Sequence, residues 1–193
     1  MKNFLLCTIV CLILCNPSVC AQTDEQMRQS EIEETLKQQC LHKVRALTMS
    51  FDRIASKMVE DSIKNYYINY ALDLFIGSGD GIKDRDNNVV ISAPKVEVRS
   101  LRRNNLSYPI KNYLKRLKSL SQDEVGEIIY ADCYVIKYVS IKNDNDVSSI
   151  HSIQHYQVYP NKEVKALGSP QMDFFSPGGF FSVLIGDVVI QIK

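Results

Sequence analysis

The chain has 193 residues, of which 45% are hydrophobic, and this length and composition predict one domain with an ordinary apolar core. Its 23 basic and 22 acidic residues leave a formal net charge of +1, so neither nucleic acid nor an anionic membrane surface is expected as the main partner. No internal repeat or low-complexity tract interrupts the sequence.

Residues 1–21 have the pattern of a secretory signal peptide. Lys2 supplies the charged start, residues 4–14 form an apolar stretch, and small residues flank a cleavage site after Ala21. The apolar stretch is shorter than the roughly 20 residues that a lasting membrane helix needs. We therefore expect a periplasmic or secreted protein whose mature part, residues 22–193, is a single domain with no integral membrane segment.

The six cysteines fall into two groups. Four lie in residues 1–21, so cleavage leaves only Cys40 and Cys133, which is too few for a disulfide framework. These two cysteines can form a disulfide if their Cα atoms come within about 7 Å, and two separate buried thiols are the alternative. A lipoprotein signal at Cys15 or Cys20 is a weaker interpretation, because a large leucine and a valine precede these residues.

Two amphipathic helices are predicted next. Residues 26–58 repeat apolar side chains every three or four positions, with acidic residues early and basic residues later. This stripe consists of Ile32, Leu36, Cys40, Val44, Leu47, Phe51, Ile54 and Met58. A second helix is expected to start at a cap, Asp61 or Ser62, and to stop at the glycine-rich residues 77–81. Its predicted apolar side consists of Ile63, Tyr66 or Tyr67, Tyr70, Ala71, Leu74 and Phe75.

No metal site is predicted from the acidic and histidine residues. Residues 84–88 resemble a calcium loop, but Val89 and Lys95 stand where that loop needs glycine and glutamate. A solvated turn is therefore the preferred interpretation. His151 and His155 share a strand face about 13 Å apart, which is too far to bind one zinc ion.

The middle of the chain is predicted to hold a broken strand and a short helix. Strand-like residues 89–101 are interrupted by Pro94, and residues 109–120 form an amphipathic helix. The basic residues of this region are Arg99, Arg102, Arg103, Lys111, Lys115, Arg116 and Lys118. A solvated face is the preferred interpretation of these charges, and binding of an anionic ligand is the alternative.

Long strands are predicted for the rest of the chain. Residues 125–141 alternate with period two, and residues 148–159 follow as an antiparallel partner through a turn at residues 143–146. Residues 161–179 are predicted as a loop. Residues 180–193 form the closing strand, with a bulge or kink at Gly186 and Asp187. One face of the first strand carries Ile129, Ala131, Cys133, Val135 and Val139. The other carries Ile128, Tyr130, Asp132, Tyr134, Ile136 and Tyr138.

This order of elements resembles the nuclear transport factor two-like fold, also called the cystatin-like cone. The resemblance is carried by residues 71–77 (ALDLFIG), residues 96–98 (VEV) followed by 111–117 (KNYLKRL), and residues 184–190 (LIGDVVI). It implies an α+β fold in which helices pack in the concave face of a strongly curved antiparallel sheet. It covers about residues 40–193 and is informative about fold more than function.

The resemblance also implies a pocket at the open mouth of the cone. The candidate catalytic residues are Asp132, Tyr134, Asp73 and Tyr70. The candidate ligand-binding residues are Tyr66, Tyr67, Tyr70 and Tyr130. An aspartate among tyrosines in an apolar pocket would have a raised pKa and could transfer protons. The alternative is that the tyrosines belong to the core or an interface and that Asp132 faces water. No cofactor is predicted.

A non-enzymatic binding or interaction module is the preferred function, because no catalytic motif occurs. Its expected partner is a small apolar ligand or a protein, and a homodimer through the outer sheet face is the expected assembly. The alternative is a small pocket enzyme of the isomerase, dehydratase or hydrolase type. A cystatin-type protease inhibitor ranks last, because residues 157–159 do not match the Gln-x-Val-x-Gly hairpin.

Overall fold

A computed structural model of the chain describes residues 17–84, 86–100, 104–120, 126–139, 149–160, 164–168 and 179–192. The chain forms two compact units, one ending at Leu36 and the other beginning at Lys37. The described part of the first unit is helical, whereas the second unit contains helices and all described strands. The second unit is therefore α+β, as predicted. No helix among the described residues combines the length and apolar character that a membrane crossing requires.

The first helix, α1 (Pro17–Ala55), contributes a buried stripe to the second unit. The predicted stripe is confirmed over Cys40, Val44, Leu47, Phe51 and Ile54, which are all at most 2% exposed. It is wrong at its ends, where Ile32 is 36% exposed and Met58 is 92% exposed. Met58 is exposed because α1 ends at Ala55, so Met58 lies in the turn that follows.

The second helix, α2 (Asp61–Leu74), buries only part of its predicted apolar side: Ala71 and Leu74 are confirmed, as is Phe75 directly after the helix. Its buried side chains are Lys64, Ala71 and Leu74, whereas Ile63, Tyr66 and Tyr70 are exposed. At the start of the helix, Lys64 is thus buried where Ile63 was predicted. A lysine can occupy such a stripe because its aliphatic stem packs on apolar neighbours while the ammonium reaches outward.

Both predicted ends of α2 also require correction. Glu60 occupies the N-cap position without a side-chain hydrogen bond, so neither Asp61 nor Ser62 caps the helix. At the other end, Phe75 adopts an extended conformation and forms a parallel bridge with Ile185 of the last strand. The helix therefore stops because Phe75 pairs with the sheet, two residues before the first glycine.

The glycine-rich segment forms a turn after α2. Residues Ile76–Gly79 make a tight turn that is not regular helix, because Gly77, Ser78 and Gly79 have φ of 56°, 49° and 89°. Ser78 is the one non-glycine residue of this turn in the left-handed region. These left-handed conformations are cheap only for glycine. The lack of space around Gly79 also favours glycine there, because a Cβ at this position would lie 2.9 Å from Cγ2 of Ile110.

The polar loop after this turn joins a two-stranded antiparallel hairpin, β1 (Ile82–Lys83) and β2 (Val89–Ile91). Oδ1 of Asp84 accepts hydrogen bonds from the backbone N–H groups of Asp86 and Asn88, at 2.9 and 2.8 Å. A hydrogen bond from the Asn88 side chain, followed by these backbone bonds, holds the pKa of Asp84 below its ordinary value. The loop is therefore a turn organised by its own aspartate.

The remaining six strands form one mixed sheet in the order β4-β3-β8-β5-β6-β7. They are β3 (Lys95–Ser100), β4 (Leu106–Pro109), β5 (Glu127–Val139), β6 (Ser149–Val158), β7 (Val164–Leu167) and β8 (Gly179–Ile192). The prediction of a purely antiparallel sheet is wrong, because β3 and β8 run parallel and pair from Val96–Val188 to Ser100–Ile192. The last strand enters between β3 and β5, which themselves run in opposite directions.

Other predicted elements agree with the structure. Pro94 separates β2 from β3, the short helix α3 spans Ile110–Ser119, and β5 and β6 pair in antiparallel register. The predicted turn at residues 143–146 lies outside the described residues. The short strand β7 was not expected, because it falls inside residues 161–179, which read as loop.

The core of the second unit lies between the helices and one face of the sheet, which we call the inner face. On β5 this face carries Ala131, Cys133 and Val135, which are fully buried. The Phe51 ring on α1 packs on the Tyr113 ring of α3, with centroids 5.4 Å apart. The opposite side of β5, carrying Tyr130, Asp132 and Tyr134, defines the outer face.

Candidate functional site

A β-bulge in β8 shapes the outer face next to Asp132. Ala131 pairs with Val188 and Cys133 pairs with Ile185, so the single residue Asp132 lies opposite two residues of β8. Those two residues are Gly186 and Asp187, as the sequence predicted for a bulge. Because a bulge bends its strand and redirects a side chain, it places Asp187 beside Asp132 on the outer face.

Gly186 makes room for the ring of Tyr134. A Cβ atom at Gly186 would overlap atoms Cε2 and Cδ2 of that ring. No other residue type leaves this space, so the glycine lets the tyrosine lie flat across the bulge. The position of the Tyr134 ring therefore depends on the absence of a side chain at Gly186 in the bulge.

His155 of β6 completes the cluster. It pairs with Tyr134 in the β5–β6 register, and the two rings stack with centroids 4.5 Å apart and planes 6° apart. Its Nε2 lies 3.2 Å from Oδ1 of Asp132. This is an ion-pair distance, but the angles are not those of a hydrogen bond, so Nε2 has no hydrogen-bond partner among the described residues.

A polar notch with a cavity volume of about 160 Å³ opens beside this cluster. It is lined by Lys95, Glu97, Ser107, Tyr130, Asp132, Asp187, Val188 and Val189. Oδ1 of Asp187 accepts a 2.8 Å hydrogen bond from the backbone N–H of Lys95. Arg99 donates to Glu97 at 2.7 Å and to the Tyr130 hydroxyl at 3.2 Å. Three carboxylates thus line the notch: Glu97 pairs with Arg99, Asp132 lies at ion-pair distance from His155, and Asp187 accepts the backbone hydrogen bond.

The electrostatics of the notch act on Asp132 and Tyr134. Burial raises the pKa of Asp132, the charge of Asp187 adds to that effect, and His155 opposes it. Burial also raises the pKa of the Tyr134 hydroxyl, with further contributions from Asp132 and Asp187. Asp132 is therefore the carboxylate in this cluster whose proton affinity the surroundings change most clearly.

The structure separates the candidate residues on β5 from those on α2. Tyr130 and Asp132 line the notch, whereas the Tyr134 ring lies over Gly186 of the bulge and is not part of the lining. On α2, the rings of Tyr66 and Tyr70 stack with centroids 6.4 Å apart, and Tyr67 packs edge-on against Tyr66. Tyr66 is 63% exposed, and Asp73 is exposed as well. Neither of the two described pockets includes an α2 residue.

Two site residues were missed by reasoning from the sequence. His155 was considered only as a zinc ligand, and Asp187 only as part of a bulge. His155 could have been recognised from the register of the β5–β6 hairpin, which places it opposite Tyr134. That register, however, depends on a bulge inside β6. The neighbourhood of Asp187 and Asp132 depends on the insertion of β8 beside β5, for which the sequence carries no local signal.

Several of the described basic residues around α3 are paired, whereas Arg102 and Arg103 lie outside the described residues. The Nζ atom of Lys111 forms a salt bridge with Asp80 at 2.6 Å, and that of Lys118 contacts Asp61 at 3.0 Å. The guanidinium of Arg116 lies over the Tyr108 ring, 5.5 Å from its centroid. These contacts favour the interpretation of this region as a solvated surface rather than an anion site.

A second groove, of about 250 Å³, lies between α1 and the start of β5. Its mostly apolar lining consists of Arg45, Thr48, Met49, Glu127, Ile128 and Pro160. None of these was a candidate residue. Among the described residues, no group of three or more histidine, cysteine, aspartate or glutamate side chains has an arrangement that could hold a metal ion.

Comparison of the chain with protein-family models, with curated proteins and with solved structures finds no match.

Proposed function

We propose that this protein is a non-enzymatic binding module whose ligand site is the notch on the outer sheet face. The observation that carries the proposal is the meeting of Asp132 and Asp187 at the β8 bulge, beside the Tyr130 ring. A rigid sheet holds these groups, and sites built on strands hold their geometry better than sites on loops.

The notch favours a ligand with a cationic amine or guanidinium head. Its lining contains three carboxylates and one lysine, and Arg99 already pairs with one of the carboxylates, Glu97. Neighbouring carboxylates prefer to share a cation. The Tyr130 ring already has the Arg99 guanidinium over it, 5.6 Å from the ring centroid, so the carboxylates rather than the ring carry this preference. The wholly apolar ligand expected from the sequence suits this lining less well.

Calorimetric titration with putrescine, a short aliphatic diamine, tests the proposal. Binding is expected for the diamine and not for butanediol, which has the same carbon chain without charge. Asp187→Asn should weaken binding roughly tenfold, since a hydrogen bond to a charged group contributes about 1.5 kcal/mol. Asp73→Asn is the matched control, because Asp73 is an exposed aspartate on α2. Equal affinity in all three proteins would reject the notch as the site.

A small pocket enzyme is the second candidate, and the pair formed by Asp132 and His155 favours it. The atoms lie 3.2 Å apart, both side chains are less than one-third exposed, and burial raises the pKa of Asp132. Such a pair can exchange protons with a bound molecule. Hydrolysis of p-nitrophenyl acetate by wild type and by His155→Gln distinguishes the candidates. Equal rates would leave the binding module as the better proposal.

We also propose that the sheet curves around the helices, as in the cone fold that the sequence resembles. Register shifts in the β5–β8 and β5–β6 ladders support this, because each bulge adds bend and twist to its strand. The strands involved are long, with 13 residues in β5 and 14 in β8. A crystal structure of the full chain with a flat sheet would contradict the proposal.

Export is part of the same proposal. The support is the signal pattern of residues 1–21, which ends in a small-x-small cleavage site. Sequencing of the N-terminus of the exported protein should begin at Gln22. A chain that keeps Met1 would contradict cleavage.

The homodimer expected from the sequence uses the same outer face as the notch. Tyr134 and Tyr138 lie half-buried on that face, and aromatic residues of this kind are common at interfaces. If both proposals hold, diamine binding and dimer formation should compete. Light scattering at high protein concentration, with and without putrescine, measures this, and a monomer mass in both samples would reject the dimer.

A further inference from the structure

Two thiols meet in the core of the second unit, on the opposite face of β5 from the notch. Cys40 lies on the buried stripe of α1, Cys133 lies on the inner face of β5, and both are 0% exposed. Sγ of Cys133 is 3.9 Å from the backbone oxygen of Cys40. The two cysteines are free in this structure, yet they are close neighbours on elements that are 93 residues apart in the chain.

The surroundings make these thiols slow to react once the core is closed. The hydrogen bond with the Cys40 side chain, followed by burial, raises the pKa of the Cys133 thiol well above its ordinary range. Because the thiolate is the species that attacks a disulfide, a raised pKa and full burial suppress exchange in the folded protein. Oxidation therefore has to precede the closing of the core.

We propose that Cys40 and Cys133 form a disulfide bond during folding, and that this bond cross-links α1 to the central strand β5. In this step two S–H bonds break and one S–S bond forms. The two protons and two electrons pass to a disulfide oxidant, such as oxidised glutathione or a protein disulfide, whose S–S bond breaks to give two thiols. The proposal rests on the contact between the two cysteines and is independent of the proposed ligand.

The proposed disulfide would stabilise the packing of α1 in the second unit. Cys40 is three residues after Lys37, where the second unit begins, so the bond fixes the start of the α1 stripe. Cross-links that close long loops restrict the unfolded chain most, and this one joins residues 93 positions apart.

Tryptic peptide mapping tests the bond directly in the full chain. The reduced, unfolded chain is refolded in a mixture of reduced and oxidised glutathione, and free thiols are then blocked with N-ethylmaleimide. Trypsin places Cys40 in residues 38–43, Cys133 in residues 119–137, and the other four cysteines together in residues 3–28. The expected product is a cross-link between 38–43 and 119–137. Two maleimide-labelled peptides, or a cross-link from 38–43 to 3–28, would overturn the proposal.

Thermal unfolding gives a second readout. The oxidised chain should melt roughly 10 °C above the reduced chain, given the usual effect of a long-loop disulfide on a domain of this size. Cys133→Ala should remove this difference, whereas Cys20→Ala should keep it. Equal melting temperatures for oxidised and reduced wild type would show that α1 is not fastened by this bond. The peptide map needs no variant and remains decisive if Cys133→Ala does not fold.

Discussion

The two faces of β5 use one backbone for two different purposes. On the inner face, Ala131, Cys133 and Val135 are fully buried against the core. On the outer face, Tyr130, Asp132 and Tyr134 alternate with them and remain partly exposed. The inner residues need only the right size and apolarity, whereas the outer residues depend on what neighbouring strands bring to them.

That difference shows where the specific chemistry of the protein comes from. The inner face follows from period-two alternation, because successive side chains point to opposite sides of a strand. The outer cluster requires three strands in one register, together with a bulge that turns Asp187 toward Asp132. Burial in the core therefore determines which residues occupy the inner face of β5, whereas the pairing of distant strands determines the cluster on its outer face.

The largest effect is expected from truncating the inner face of β8. Ile185 is 0% exposed, pairs with Cys133 and is bridged to Phe75. Ile185→Ala should lower the free energy of unfolding by about 3 kcal/mol, through lost burial and a residual cavity. Urea denaturation measures the change. Leu106→Ala, at a position 47% exposed on β4, is the control and should cost much less. Similar losses in the two variants would contradict the assignment of the inner face to the core.

A smaller effect is expected at the bulge on the outer face. Gly186→Ala introduces a Cβ that overlaps the Tyr134 ring, so the stack of Tyr134 on His155 must shift. The free energy of unfolding should fall by about 1–2 kcal/mol, as for other overpacked sites.

A double-mutant cycle isolates this contact. In a Tyr134→Ala background the ring is absent, so Gly186→Ala should have almost no effect on stability. Urea denaturation of the four proteins supplies the coupling energy. An unchanged cost in the Tyr134→Ala background would show that the glycine is needed for its backbone rather than for the ring.

The smallest effect is expected in the pH dependence of stability. Burial raises the folded-state pKa of Asp132 above its ordinary value of 3.8, so the folded protein binds the proton more tightly than the unfolded chain. The contribution of this residue to stability is therefore present below pH 3.8 and is lost as the pH rises through the folded-state pKa.

Asp132→Asn should remove this part of the pH profile, because asparagine does not titrate. Thermal unfolding of both proteins across the acidic range measures the difference. Wild-type stability should fall relative to the variant as the pH rises through the window above 3.8. A difference that stays constant across that window would mean that Asp132 has the same proton affinity in the folded and unfolded states.

Several features of the fold were determined by the sequence alone. The α1 stripe from Cys40 to Ile54, the helix after Pro109, the alternation from Tyr130 to Val135 and the bulge at Gly186 all follow from local patterns. Ile128 and Ile136, which were predicted on the same side of β5 as Asp132, are buried. Periodicity and glycine chemistry act over a few residues, so they can be recognised without knowing which elements become neighbours.

The tertiary structure decided the rest. It left Tyr66 and Tyr70 of α2 exposed, and it made the sheet mixed by placing β8 between β3 and β5. It also brought His155 to Asp132. Each of these depends on contacts between residues far apart in the chain, where the competition among alternative packings is settled by total burial and pairing rather than by local pattern.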